Sequence, residues 1–391
     1  MNERPDLSSP SVAKRLPKRI DELDGLRGIL ALWVALAHIF CWCGFSQFPM
    51  ALPNFLNSAA RRSWVQFSFA GAPVDTFIIL SGFAISYLLH SRTQSYKQFM
   101  TGRFFRIYPV YLLCLLGGFF TIFVIPHILD AAGWRDNEYF TLYARPVVSS
   151  ALAHPVTHLV SHLTLLFGVI PDKLLPGAAF SIVAPAWSIS LEWQYYLLAP
   201  LIASWVCRPL GLAILGVIGC GGMIYLHFWS AAFFPEMLPL FLIGIGSYHL
   251  YVHSDKWKQS PYRLHVLAAV LAAVLILDWH RLALVIWLVV FGGVLADAAN
   301  PSEQFLLLSR RVLLKRPLQF VGAISYPLYL VHWPVIVGFL ALLVAWQPGI
   351  SSGVALALML VVVLPIILLA AWLLHILVEK PLMQFGKKFT R

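Results

Sequence analysis

The first long apolar stretch of the chain contains an arginine and a histidine, two residue types that lipid excludes. Residues 24–38 read Asp-Gly-Leu-Arg-Gly-Ile-Leu-Ala-Leu-Trp-Val-Ala-Leu-Ala-His, with ten residues between Arg27 and His38. In a helix this spacing is about three turns, which places both side chains on one face at depths that differ by roughly 16 Å. Ionisable residues inside membrane helices usually face the protein interior or a wet cavity. The alternative is that Arg27 extends to the surface and His38 packs as a polar bridge.

The composition indicates an integral membrane protein. Of the 391 residues, 60% are hydrophobic and 12% are charged, and the mean hydropathy is +0.78. Soluble domains are about half apolar and a quarter charged. The net charge of +11 comes from short basic clusters between apolar runs, which are typical of membrane loops and predict no nucleic-acid partner. The five cysteines lie in or beside apolar segments without a Cys-x-x-Cys pair, which favours packing over disulfides or metal binding.

Ten apolar stretches are long enough to cross a bilayer of about 30 Å. They lie near residues 26–45, 71–90, 104–125, 186–206, 210–228, 235–252, 264–279, 281–298, 318–344 and 353–377. The sequence therefore predicts an all-α integral membrane protein with about ten transmembrane helices. The stretches 264–279 and 281–298 are short, and a re-entrant pair is the alternative for them. Residues 158–170 are too few to span, which indicates an interfacial or re-entrant helix.

The distribution of lysine and arginine predicts the orientation. With ten spans and a cytoplasmic N-terminus, 21 of these residues lie on the cytoplasmic side and six on the outer side, as the positive-inside rule requires. Both termini are thus predicted to be cytoplasmic. The predicted domains are a basic tail (1–20), one transmembrane domain (21–385) with an outer loop (126–185), and a short tail (386–391). The expected location is a cell membrane, such as a bacterial inner or plasma membrane, with the first span retained.

Several other polar residues fall inside predicted spans. On the fourth span Glu192 lies roughly 10 Å from the outer end, close to the depth of His38, and Asp75 is shallower on the second span. On the ninth span Tyr329 and His332 lie near the middle of the membrane. A carboxylate beside an imidazole fixes its tautomer and raises its basicity, as a general base needs. We therefore expect Glu192 or Asp75 to orient His38.

A second set of residues is basic and lies at the cytoplasmic end. Arg103 and Arg106 are three residues apart at the start of the third span, at the level of Arg27. Three guanidinium groups at one level would form an anion site, and their planar fork suits phosphate. The alternative is that Arg103 and Arg106 are ordinary positive-inside anchors.

Six motifs, in order from about residue 20 to residue 385, resemble those of the acyltransferase-3 family of membrane acyltransferases. They are Arg27-x10-His38, the run Asp75–Phe83, the pair Arg103-Phe-Phe-Arg106, the segment Ser188–Glu192, the stretch Tyr326–His332 and the closing Glu379-Lys-Pro381. Each motif alone is weak, but six in sequence are specific. The run after Asp75 departs from the family pattern, with Thr76 and two isoleucines where an aromatic residue and Val are common.

The resemblance implies transfer of an acyl group, commonly acetyl, from cytoplasmic acyl-CoA to a hydroxyl of a sugar or related acceptor at the outer face. It implies that His38 is catalytic and that Arg27, Arg103 and Arg106 bind the donor. Acyl-CoA is then a co-substrate, and neither a permanently bound cofactor nor a metal is expected. The expected partners are membrane lipid, acyl-CoA and a carbohydrate-type acceptor. Some members append a soluble esterase-like domain, and because this sequence ends at Arg391 a stand-alone version is expected.

The sequence leaves the chemical route open. His38 either removes the proton from the attacking acceptor hydroxyl or takes the acyl group itself in a two-step route. Tyr329 and Ser81 are candidates for hydrogen bonding to the oxyanion, and His332 is a further candidate near the acceptor. The sequence defines neither the acceptor, the acyl chain length nor the oligomeric state.

Three other interpretations remain. A proton-coupled transporter or flippase would use the intramembrane His, Glu and Asp residues as a relay, although no inverted repeat is visible. Another family of polytopic O-acyltransferases with an intramembrane histidine would act on a lipid or a protein. The spacing of His154, His158 and His162 is also found among metal ligands, but Pro155 interrupts its first turn and no carboxylate or cysteine follows closely.

Overall fold

The computed structural model describes residues 20–45, 70–91, 94–134, 140, 144–224, 232–253, 280–296 and 304–390. All regular structure within these ranges is helical, which confirms the predicted all-α class. The predicted N-terminal tail, apart from Ile20, and the predicted span 264–279 lie outside the described residues.

The described helices, numbered in chain order, differ widely in length. They are α1 Asp21–Trp42, α2 Gly71–Ser91, α3 Tyr96–Ala131, α4 Arg145–Ala153, α5 Pro155–Leu163, α6 Trp187–Val206, α7 Pro209–Ile224, α8 Phe234–Val252, α9 Arg281–Leu295, α10 Gln304–Leu313, α11 Arg316–Ala323, α12 Ser325–Trp346 and α13 Ser352–Phe389. Five of them are long and apolar enough to cross a membrane, namely α1, α2, α3, α12 and α13. This supports a multi-pass membrane protein, whereas the number of ten spans and the cytoplasmic termini stay predictions.

Two helices differ from the apolar stretches that predicted them. Helix α3 has 36 residues and extends beyond the predicted 104–125 at both ends. It begins at a capping box, in which Ser95 and Gln98 bond to each other's backbone N–H groups, a strong start signal. The predicted span 318–344 is interrupted at Ile324, which separates α11 from α12.

Helix α1 packs at the centre of the described structure. It contacts α2, α11 and α12, and residues on its buried faces, such as Leu30, Val34 and Ile39, have no exposed surface. Helix α12 packs in turn against α3, α13 and the short turn at residues 184–186. These contacts bring the predicted site residues of α1 and α12 together with the segment that leads into α6.

Helices α2 and α8 cross at two glycines. A Cβ atom added to Gly244 would collide with the backbone of Ile79 and Phe83, and one added to Gly82 would collide with the backbone of Phe241. Close backbone approach through small residues is the usual way in which membrane helices associate. The crossing fixes α2, and with it Asp75 and Ser81, against α8.

The outward faces of the long helices remain apolar. Large exposed side chains occur on α3, α12 and α13, such as Phe120 at 69%, Leu342 at 72% and Val361 at 75% exposure. Soluble proteins rarely present apolar surface on this scale. The exposed faces are therefore suited to contact with lipid chains.

Candidate functional site

Helix α1 carries both residues of the predicted pair and presents them to different cavities. Because the helix is continuous from Asp21 to Trp42, its rise per residue places Arg27 and His38 roughly 16 Å apart along its axis. Arg27 lines a cavity that we call the arginine-side cavity, together with Ser81, Glu192, Tyr326 and Tyr329. His38 lines the histidine-side cavity, together with Asp172, Pro185, Trp187, Tyr329 and Trp333.

The three predicted donor-binding arginines converge beside the arginine-side cavity. The positive charge of Arg106 acts on both Arg27 and Arg103, so the three guanidinium groups lie within electrostatic range. The guanidinium carbon of Arg103 lies 5.7 Å from the centre of the Tyr196 ring, in cation–π range. The buried Nε of Arg103 has no hydrogen-bond partner among the described residues. Clustered guanidinium groups with an unused donor suit an anionic ligand.

Glu192 supplies a negative charge to this cluster rather than to His38. Its carboxylate accepts hydrogen bonds from the hydroxyl groups of Ser81, at 3.2 Å, and Tyr196. It also attracts all three arginines, Arg106 among them. The sequence placed Glu192 at the depth of His38, but the rotation of α6 directs its carboxylate into the arginine-side cavity.

A second counter-charge comes from the far end of α13. Glu379, which is 3% exposed, attracts Arg106 and accepts a hydrogen bond from Nδ1 of His375 at 2.7 Å. It lies in a π-helical turn, His375–Glu379, one residue before Lys380 and two before Pro381. Because proline has no N–H to donate, Pro381 cannot supply the helical hydrogen bond to a carbonyl of the preceding turn. π-helical turns often occur at functional positions, and here the turn carries this counter-charge of Arg106.

The imidazole of His38 has a defined tautomer. Its Nδ1 lies 2.9 Å from the Val34 carbonyl oxygen, and because a carbonyl only accepts, Nδ1 carries the proton and Nε2 keeps a lone pair. The His332 ring is 5.1 Å and the Trp333 ring 5.6 Å from the His38 ring, centre to centre. Nδ1 of His332 likewise donates to Leu328, and its buried Nε2 has no partner in the described part of the chain. The two unprotonated Nε2 atoms are thus available to accept protons.

Asp75 pairs with a histidine that the sequence analysis did not select. Its Oδ2 lies 2.7 Å from Nδ1 of His280, and the carboxylate of Glu236 acts on the same imidazole. Burial lowers the pKa of His280, but the two carboxylates outweigh this and raise the pKa above its ordinary value. Neither Asp75 nor Glu192 is a hydrogen-bond partner of His38 among the described residues, so the expected carboxylate contact is not formed. These three residues make separate contacts and form no direct relay.

The two cavities meet at Tyr329. Its phenol hydroxyl donates to the Pro185 carbonyl oxygen at 2.8 Å and forms a second hydrogen bond, at 2.7 Å, with the Ser188 hydroxyl. The Phe77 ring packs edge-on against the Tyr329 ring, with 5.7 Å between centres. Because the protons of Tyr329 and Ser81 are both used in these bonds, an oxyanion would have to displace Pro185 or Glu192 to receive them.

The histidine-side cavity combines aromatic surfaces with one carboxylate. Trp187, Phe180 and Trp333 line it together with Asp172, whose pKa is raised by burial. Apolar and aromatic walls with a few placed polar groups are typical of small-molecule sites.

The spaced histidines of the predicted outer loop hold that segment together. Nδ1 of His158 and Nε2 of His162 lie 2.9 Å and 3.1 Å from the Ser181 hydroxyl, and the His162 Nε2–H also reaches the Ala178 carbonyl oxygen at 2.8 Å. Burial lowers the pKa of His162 to about 3, so its neutral form is favoured. No group of three or more His, Cys, Asp and Glu residues suited to a metal ion occurs in the described ranges.

Sequence reasoning missed Tyr196, His280 and Trp333. Tyr196 follows Glu192 by four residues, a helical spacing that predicts contact between side chains. Trp333 directly follows His332, but only the rotation of α12 brings it against His38. His280 lies far from Asp75 in the sequence, and no local pattern pairs them.

Comparison with known proteins identifies the family of this chain. A family model described as an acyltransferase domain matches residues 20–376. O-acetyltransferase OatA of Staphylococcus aureus is 23% identical over 374 residues, which cover 82% of this chain and 51% of that protein. Peptidoglycan O-acetyltransferase OatA of Listeria monocytogenes is also 23% identical, over 86% of this chain and 52% of its own length. The chain thus spans about half the length of these relatives.

A third relative is matched over nearly its whole length. Acyltransferase MdmB of Streptomyces mycarofaciens is 24% identical over 404 residues, which cover 94% of both chains. No solved structure matches significantly. Since the family model covers most of the chain, including Arg27, His38, Arg103, Arg106 and Glu192, the chain belongs to the acyltransferase-3 family.

Proposed function

We propose that this protein is a multi-pass membrane O-acyltransferase. It transfers an acyl group, most simply acetyl, from cytoplasmic acyl-CoA to a hydroxyl of a carbohydrate-type acceptor of a bacterial cell envelope or a secreted product. Family membership supports acyl transfer, and the O-acetyltransferase names of the relatives support an O-acetyl group. The transporter alternative would use His38, Glu192 and Asp75 as a relay, and among the described residues these three are not hydrogen-bonded to one another.

One observation carries the proposal. Arg27 and His38, whose Nε2 is available, line adjoining cavities along one continuous helix, and Arg103 and Arg106 from α3 add their charges beside Arg27. The arginines suit the phosphates of CoA, because guanidinium groups bind phosphate in a bidentate manner. The roughly 16 Å between Arg27 and His38 leaves room for an extended arm that ends in a thioester.

His38 acts as the general base in the simpler of the two routes. Nε2 takes the proton from the acceptor hydroxyl, whose oxygen attacks the thioester carbonyl carbon. The C–S bond breaks, and the proton passes to the departing thiolate. In the other route Nε2 attacks the thioester carbonyl carbon, the C–S bond breaks, and the CoA thiolate departs from an acyl-imidazolium. The acceptor hydroxyl then attacks the acyl carbon, the C–N bond breaks, and the hydroxyl proton passes to the thiolate. In both routes the bond from Nδ1 to Val34 holds the ring in the required tautomer.

The acceptor binds in the histidine-side cavity. Trp187, Phe180 and Trp333 provide flat surfaces for the apolar face of a sugar ring, and Asp172 is placed to accept hydrogen bonds from its hydroxyl groups. Both substrates then reach His38 from different cavities.

The test measures release of CoA from labelled acetyl-CoA by purified protein in liposomes. His38→Ala should reduce turnover at least about a hundredfold, because a positioned base contributes that much or more. Arg106→Lys keeps the charge but loses the bidentate fork, and should raise the donor KM about tenfold with a smaller change in kcat.

The matched control is His90→Ala. His90 lies on α2 and makes the same bond from Nδ1 to the carbonyl oxygen four residues earlier, at 2.8 Å, but it lines neither cavity. Turnover of the His90→Ala variant should stay within about twofold of the wild-type value. Absence of both binding and turnover in the wild type, with acetyl and longer acyl donors, would overturn the proposed function.

A further inference from the structure

The two cavities share a wall at Tyr329. Among the described residues, Tyr329 is the one that lines both the arginine-side and the histidine-side cavity. Its side chain is only 4% exposed. Tyr329 therefore lies between the cavity of Arg27 and the cavity of His38.

Hydrogen bonds close this wall from both sides. Ser188 lines the arginine-side cavity and Pro185 lines the histidine-side cavity. The Tyr329 hydroxyl joins them, because it donates to the Pro185 carbonyl oxygen at 2.8 Å and lies 2.7 Å from the Ser188 hydroxyl. All three groups are buried and satisfied, which makes a gap in the wall costly.

We propose that Tyr329, Ser188 and Pro185 form a partition that keeps the donor and acceptor cavities apart and so favours transfer of the acyl group over hydrolysis. The inference rests on the proposed function for its chemical consequence. Its structural part, the separation of the two cavities, stands independently. The partition must open when the acyl-bearing end of the donor approaches His38.

The partition matters because water competes with the acceptor. In hydrolysis water attacks the thioester carbonyl carbon, the C–S bond breaks, and the products are a carboxylate and a thiol. The arginine-side cavity is lined by the charged groups of Arg27 and Glu192, which favour hydration, whereas the histidine-side cavity must hold the acceptor hydroxyl at His38. A closed partition keeps this water out of the histidine-side cavity. When the partition opens, the acyl group itself fills the opening.

The first test measures separation without relying on activity. Ala184 lines the histidine-side cavity, so Ala184→Cys in a background without the five native cysteines reports access to it. A small anionic methanethiosulfonate is added to one face of proteoliposomes at a time. The thiol should react from one face only, with at least a tenfold difference in rate. In the Tyr329→Phe variant the loss of both hydrogen bonds should reduce this difference to about twofold.

Tyr326→Phe is the matched control. Tyr326 lies one turn before Tyr329 on α12, lines the arginine-side cavity, and donates to the Ile107 carbonyl oxygen at 2.6 Å. Its variant also loses a hydrogen-bonded phenol hydroxyl, but labelling should stay one-sided. Ser188→Ala leaves the ring of Tyr329 in place. Its difference in labelling rate between the two faces should be intermediate between the differences of the wild type and of Tyr329→Phe. Gel filtration and Tm confirm that each variant is folded.

The second test measures the fate of the acyl group. With acceptor present, Tyr329→Phe should raise the ratio of hydrolysis to transfer about tenfold over wild type. One-sided labelling of Tyr329→Phe together with an unchanged ratio would overturn the partition, as would two-sided labelling of the wild type. If labelling changes as expected but the wild type turns over no acyl donor, the partition stands and the proposed function fails.

Discussion

The contacts of His38 and Glu192 are set by the rotation of the helices that carry them. The sequence located His38, Arg27, Arg103 and Arg106 on their helices, and the arginines converge as expected. Depth did not identify the partner of His38, because the rotation of each helix decides which side chains meet. His38 packs against His332 and Trp333, while Glu192 turns toward the arginines.

The pair of Asp75 and His280 makes a prediction about pH. Because the carboxylates of Asp75 and Glu236 raise the pKa of His280 in the folded protein, the charged imidazole stabilises the fold. This contribution is fully present below the unfolded-state pKa of about 6.5. It is lost as the pH rises through the higher pKa of the folded state.

The Tm of the purified protein should therefore fall as the pH rises above about 6.5, and His280→Gln should flatten that slope. Replacement of the exposed His253 by Gln serves as control and should leave the slope unchanged. An equal slope in wild type and His280→Gln would assign the pH dependence to other groups.

The helices were predicted well where an apolar run ends at a helix stop. Helices α2, α6 and α8 begin and end within two residues of the predicted limits. Helix α3 was predicted too short, because hydropathy falls at His127 and Asp130 although no residue there stops the helix. The interruption at Ile324 was missed, since the run across it is apolar on both sides.

The crossing of α2 and α8 makes a prediction about stability. Gly244→Ala adds a Cβ where the backbone of Ile79 and Phe83 already lies, so the helices must separate. We expect a loss of about 1–3 kcal/mol in the free energy of unfolding, measured as a lower Tm. Gly246→Ala lies on the same helix with no heavy atom within 4 Å of the added Cβ. The control should keep the wild-type Tm, and an equal loss in both variants would contradict close packing at Gly244.

At the scale of the whole molecule, the class was predictable from composition and the topology is not yet tested. The high apolar content and the positive-inside bias predicted a multi-pass membrane protein, and five described helices are long enough to span. The sequence could not predict the two cavities, because each is lined by helices and turns far apart along the chain.

The proposed orientation can be tested by thiol labelling in intact cells. After replacement of the native cysteines, Lys173→Cys should react with a membrane-impermeant maleimide, because it lies in the predicted outer loop. Lys388→Cys lies on the predicted cytoplasmic side and should react only after the cells are opened. Both positions are exposed, so burial does not explain a difference. Labelling of Lys388→Cys in intact cells would show that this end of the chain lies outside and would contradict the predicted orientation.

The contact between α13 and α3 has a consequence for biosynthesis. Phe385 and Phe389 pack on Phe105, next to Arg106, and Glu379 supplies part of the negative charge for that arginine. The ribosome makes Arg106 early and Glu379 only after α12 and most of α13. Because domains assemble as their segments emerge, the arginine cluster lacks one of its counter-charges until α13 has docked. In a nascent chain the anion site is therefore incomplete until α13 has packed against α3.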